Sequence, residues 1–157
     1  MLDLGEIRRA TINDLPKIVN LEQKSFENEI AYNPKQLKYL ITRANSHCLI
    51  ETHEEELRGF IITLFKRGTD VAGIETISVD PLHRGKGIAK KLLFNAEEEM
   101  YPRGIRKIRL EVSMENTSAV SLYKKSGYRI TSILKNYYYF QHHGTHDAYR
   151  MVKEITT

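Results

Sequence analysis

The stretch Val79-Asp80-Pro81-Leu82-His83-Arg84-Gly85-Lys86-Gly87-Ile88-Ala89-Lys90 runs from the end of an apolar strand, through a loop with two glycines, into a long helix. The first backbone N–H groups of a helix have no intrahelical partner. Glycines let such a backbone come close to a ligand and take up φ > 0 where the path requires it. With the helix dipole and the cationic Arg84 and Lys86 added, the segment makes a cradle for a diphosphate. Taken alone, it also fits a basic, glycine-rich turn that merely caps a helix. Two familiar phosphate loops are excluded. No G-x-x-x-x-G-K-[ST] occurs, and the dinucleotide pattern G-x-G-x-x-G/A has Lys90 at its third position.

Working outward, Ile88, Ala89, Leu92, Leu93, Ala96 and Met100 form one helical stripe, stopped by Pro102 and Gly104. Residues 105–112 alternate Ile108, Leu110 and Val112 against Lys107, Arg109 and Glu111, a strand with two different faces. Asn116 caps a short helix bearing Ala119, Leu122 and Tyr123 and ending at Gly127, and residues 128–134 and 148–152 read as closing strands. Upstream, residues 6–11 form an edge-like strand. Asn13 or Asp14 caps a helix with Leu15, Ile18, Leu21 and Phe26 at near-helical spacing, and a second helix starts at Pro34. Strands follow at 48–50, 57–65 and 71–79, the first two joined by a polar turn through Glu54-Glu55-Glu56. The predicted order is β-α-α-β-β-β-α-β-α-β-β, a layered α+β fold.

The 157 residues, 41% of them apolar, suit a single domain with a real core. Cys48 is the one cysteine, which excludes an internal disulfide and a multi-cysteine zinc site, and its apolar neighbours make it a buried strand residue. No apolar run approaches membrane-spanning length, and the mixed-charge start carries no signal-peptide pattern, so a cytoplasmic protein is expected. A net charge of +4 permits an anionic ligand or nucleic acid and requires neither. The basic residues are scattered, with a local cluster from Arg103 to Arg109, which speaks against nucleic-acid binding. His142, His143 and His146 have no acidic or cysteine partner beside them and fit a solvated loop, so no metal is expected.

Three ordered blocks now combine. Arg84-x-x-Gly87-x-Ala89 follows Ile77-Ser78-Val79; then comes Leu110-Glu111-Val112; then Asn116-x-x-Ala119-x-x-Leu122-Tyr123-x-x-x-Gly127-Tyr128. Together they resemble the GNAT acetyltransferase superfamily. The resemblance implies an α/β/α layered fold with a mixed, mostly antiparallel sheet of six or seven strands and about four helices. It also implies acetyl-CoA in a V-shaped gap between strands 71–79 and 105–112. Glu111, Asn116, Asn136-Tyr137-Tyr138 and Gly144…Asp147-Ala148-Tyr149-x-Met151 are similar to the protein N-terminal acetyltransferases of the RimI and NatA catalytic-subunit type. The loop Tyr139-Phe140-Gln141-His142-His143 is longer and more aromatic than theirs, a departure that bears on substrate preference.

By that resemblance, the backbone of Ile77, Ser78 and Val79 binds the pantetheine arm, and the Val79 N–H polarises the thioester carbonyl. Arg84, Gly85, Lys86, Gly87, Ile88, Ala89 and Lys90 hold the diphosphate, and Asn116 touches the cofactor. Tyr123, near the cofactor sulfur, is the general acid, and Glu111 is the general base acting through water on an amine with a pKa near 8. Phe26, Glu29, Tyr32, Tyr137 and Tyr138 hold the acceptor peptide. Bland alternatives stand beside these roles: Tyr123 as a core aromatic, Glu111 paired with Arg109 or Lys107, Phe26 packing its loop. Glu75 is a second base candidate. The implied reaction moves acetyl from acetyl-CoA to protein N-termini, with an auxiliary or ribosomal partner compatible. Lysine or small-amine acetylation, a non-catalytic CoA-binding module and a nucleic-acid binder are the competing functions.

Overall fold

The computed structural model describes residues 5–26, 30–43 and 45–155. In chain order the elements are β1 (Glu6–Arg9), α1 (Leu15–Ser25), α2 (Pro34–Thr42), β2 (Ser46–His53), β3 (Glu56–Phe65), β4 (Val71–Val79), α3 (Ile88–Met100), β5 (Lys107–Ser113), α4 (Thr117–Lys125), β6 (Arg129–Leu134) and β7 (Ala148–Glu154). This is the order expected from the pattern, with short 3₁₀ turns added at Ile12–Asp14, Pro81–His83 and Tyr101–Arg103. The first strand stops at Arg9, two residues earlier than expected. Asp14 reaches back to accept from the Thr11 amide at 2.7 Å and from Arg8 at 2.8 and 2.9 Å, which folds the chain away from the sheet. Asp14 precedes α1 without capping it by side chain, whereas Asn33 caps α2 by accepting from the Gln36 amide at 2.8 Å.

Seven strands form one sheet in the order β1-β2-β3-β4-β5-β7-β6. Every pairing is antiparallel except β4 with β5. β2 and β3 lie near the middle of the covered half and are buried on both faces, so their apolar runs do not alternate. On one face Leu49, Ile61, Ala72 and Ile108 pack under α3 through Ile88, Leu92, Leu93 and Ala96. On the other, Cys48, Ile50, Phe60 and Ile62 pack under α1 and α2 through Ile18, Leu21 and Leu37.

The parallel pair is short. β4 and β5 meet only at Val71 with Lys107, Ala72 with Ile108 and Gly73 with Arg109. Past those three rungs both strands continue, β4 bound to β3 and β5 bound to β7, and they part from each other. The sheet is split by a wedge-shaped opening whose walls carry Ile77, Ser78 and Val79 on one side and Glu111, Val112 and Ser113 on the other.

Candidate active site

Two cavities occupy the opening. The first, of about 400 Å³, is bounded by the end of β4, the loop into α3, the start of α3 and the outward side of α4. Gly85 (φ 82°) and Gly87 (φ 79°) are left-handed, and a Cβ built on either would meet nothing within 4 Å, so the loop backbone lies open to a ligand. The first intrahelical bond of α3 is Lys91 N–H to Gly87 C=O at 3.0 Å. The amides of Ile88, Ala89 and Lys90 therefore lack helical partners. Asp80, 3% exposed, holds the approach by accepting from the Leu82 amide at 3.0 Å, with the Lys24 ammonium 3.6 Å away. Those two donors keep its carboxyl below the usual range.

Of the twelve residues expected to bind the cofactor, Ile77, Ser78, Val79, Arg84, Gly85, Gly87, Ile88, Ala89, Lys90, Asn116 and Tyr123 line this cavity. Lys86 does not; its ammonium lies 3.0 Å from His83 Nδ1. Asp80 N–H bonds to Arg58 C=O on β3 at 2.8 Å. Because successive strand amides point to opposite edges, the Val79 N–H faces the opening. Ser25 and Ser78, both lining the cavity, bury hydroxyls without a hydrogen-bond partner. Open glycine backbone, unpaired helix amides and two orphaned hydroxyls in one cleft fit a long phosphorylated ligand with amide groups along it.

The second cavity, of about 370 Å³, opens on the α1–α2 side and shares Phe26, Ile77, Asn116, Ala119, Tyr123 and His143 with the first. Tyr123 thus stands where the two meet. It is 8% exposed, rests edge-on to Tyr128 at 5.7 Å, and burial raises its phenol well above the ordinary tyrosine range. The ring of Tyr123 packs in the core, as the core-aromatic alternative expects, and it also lines both cavities.

Glu111 lies on β5 between the buried Leu110 and Val112 and lines the second cavity. Tyr137 Oη donates to it at 3.4 Å, and the Nε atoms of Arg150 and Arg109 lie 3.5 and 3.8 Å away. The expected Arg109 pairing is present, then, and Arg150 from β7 adds a second cation. Burial and the neighbouring Glu111 raise the Tyr137 phenol. Tyr138 stacks on His142 with ring centroids 3.7 Å apart, and its amide and carbonyl bond to His146. Among the described residues no cluster of three or more His, Cys, Asp or Glu could hold a metal ion, and no helix is long and apolar enough to cross a membrane.

On the opposite wall, Tyr32 donates its hydroxyl to Glu75 and its amide to Glu22 at 2.9 Å. Glu29 lies outside the described residues. Sequence reasoning passed over Glu22 and Ser25, and it read His143 as part of a solvated loop, whereas it lines both cavities. Glu22 carried a signal, because it sits four residues after Ile18 and one after Leu21, a charged side chain at a core position. Ser25 extends that same face. His143 gave none, since its place depends on a loop turn with φ 56°.

Residues 15–128 match the model of the acetyltransferase (GNAT) family. A ribosomal protein bS18-alanine N-acetyltransferase from Salmonella typhimurium is 32% identical over 139 residues, 86% of this chain and 88% of that one. A protein of the same name from Haemophilus ducreyi is 41% identical over 69 residues, 44% of this chain and only 48% of its own length. The crystal structure of the ribosomal-protein-S18-alanine N-acetyltransferase from Escherichia coli superposes with a TM-score of 0.87 at 26% identity, covering 98% of this chain and 96% of that one.

Proposed function

The chain belongs to the acetyltransferase (GNAT) family, and from that premise we propose that it transfers an acetyl group from acetyl-CoA to the α-amino group of protein N-termini, by direct attack within a ternary complex. The observation that carries the proposal is the meeting of two cavities at Tyr123, one suited to a coenzyme and one to a peptide end. The relatives named for the alanine of a ribosomal protein make a ribosomal-protein N-terminus the natural first acceptor to try, and a cytoplasmic site of action goes with it.

Acetyl-CoA, when bound, supplies an acetyl group activated as a thioester. The amides of Gly85 to Lys90, with Arg84 and Lys90, bind the diphosphate, and the Ile77–Val79 edge and Ser78 orient the amide-bearing arm. Lys86, held against His83, adds charge from outside the cleft. The Val79 N–H, fixed in direction by the β3 pairing, stabilises negative charge developing on an acyl oxygen without having to reorganise. Holding amine and acyl carbon in line contributes several kcal/mol more.

Glu111 accepts the proton of the α-ammonium through water. An α-amine has a pKa near 8, so a carboxylate of modest strength suffices. Tyr123, a neutral phenol at physiological pH, gives its proton to the sulfur as the carbon–sulfur bond breaks. Phe26, Tyr32, Tyr137 and Tyr138 line the cavity that holds the peptide end. Incubation with acetyl-CoA and short peptides with free or blocked N-termini tests the assignment, followed by thiol release and peptide mass. Acetylation of free N-termini alone is expected. Acetylation confined to lysines of blocked peptides would overturn the α-amine assignment.

A further inference from the structure

Among the described residues, the wall of the peptide cavity carries three carboxylates, Glu22, Glu75 and Glu111, and neither lysine nor arginine. Their circumstances differ. Glu111 already faces two guanidinium groups, Arg150 at 3.5 Å and Arg109 at 3.8 Å. Glu75 is exposed, and among the described residues its bond is to the Tyr32 hydroxyl, with no cation against it. Glu22 is 1% exposed, with one oxygen on the Tyr32 amide and the other buried without a partner. A buried carboxyl lacking a cation is costly, and a positive group brought to this wall lowers that cost.

We propose that Glu75 forms a subsite for a second positive charge on the acceptor, a lysine or arginine side chain beside the N-terminus that reacts. The inference rests on the N-terminal acetyltransferase assignment and names its preferred substrate class. The reacting ammonium must give up its proton, so a carboxylate that holds it as a cation opposes the chemistry. A permanently charged side chain has no such conflict. The compensated Glu111 is therefore left to the reacting amine, and the uncompensated Glu75 to the neighbour. Tyr32 ties this arrangement together: its amide is pinned by Glu22 and its hydroxyl orients the Glu75 carboxylate, so that little ordering is left for the ligand to bring about.

The test uses peptides that begin with alanine and differ only at the second residue, arginine, glutamine or glutamate, with kcat and KM read by thiol release. Glu75 is solvent-facing, so a preference of roughly five- to tenfold in kcat/KM for arginine over glutamine is expected, carried by KM and weakened by salt. In Glu75→Gln, whose amide oxygen can still accept from Tyr32, that ratio collapses towards one. A thermal melt confirms that the variant is folded. Equal wild-type rates on the arginine and glutamine peptides would overturn the subsite. So would a ratio that survives Glu75→Gln while both rates fall together, which would make Glu75 a base instead. Failure to acetylate any free N-terminus would instead remove the assignment on which the subsite rests.

Discussion

Tyr123 illustrates how one side chain can pack in a core and still line a cleft. Its ring contributes to the core beneath α3 and meets Tyr128 edge-on, while its position on α4 puts it at the junction of two cavities. Burial disfavours the phenolate and moves the phenol further above the ordinary tyrosine range. Tyr123→Phe removes the proton and little else, because the ring is retained. The expected result is a fall in kcat of about a hundredfold or more, with the KM for acetyl-CoA nearly unchanged. A kcat within a few-fold of the wild type would remove the acid role. Glu111 shows the converse economy, with one carboxylate reached by Tyr137, Arg109 and Arg150 from two strands and a loop.

At the level of elements, the β2–β3 hairpin is locked by a buried ion pair. Arg58 Nε donates to Glu51 at 2.8 Å and its terminal nitrogen makes a second bond to the same carboxylate, both side chains being almost wholly buried. The Arg58 carbonyl also receives the Asp80 amide, so this pair is tied to the strand end that lines the first cavity. Arg58→Leu leaves Glu51 charged in a dry site, and a loss of about 3–5 kcal/mol is expected in urea denaturation. Replacing Glu51 by leucine as well should recover most of it, since the isolated charge rather than the lost pair is the main cost. A second lock joins α3 to β7, where Glu97 accepts from Tyr128 Oη and from Lys153 Nζ, each at 2.8 Å. The first contact lies in the β1–β4 half of the sheet and the second ties α3 to the β5-β7-β6 half.

Across the whole molecule, acid should act in two stages. His47, set between Glu99, Arg9 and Arg103, has its pKa lowered, first by burial, and burial likewise lowers that of His142. A base that is harder to protonate folded than unfolded contributes stability above about pH 6.5, and that contribution is lost as pH falls below it. Asp14, held to about 2 chiefly by Arg8, contributes above its usual 3.8 and loses that contribution as pH drops through about 2. Melting temperatures between pH 8 and pH 2 should therefore decline first below about 6.5 and again below about 4, and a flat profile from 7 to 5 would contradict the histidine part. By itself the sequence determined the element order, the glycine-bearing turn at Gly85 and Gly87, the cap at Asn116 and the two-faced strand bearing Glu111. Each of these follows from local chemistry: side-chain periodicity, left-handed glycines, and amides that need a partner within a few residues. Only the tertiary structure decided where β4 and β5 part, which cavities meet at Tyr123, that Lys86 turns to His83, and that Glu22 and Arg150 reach the site. Those outcomes depend on strand register and on contacts between residues far apart in the chain, which no local pattern encodes.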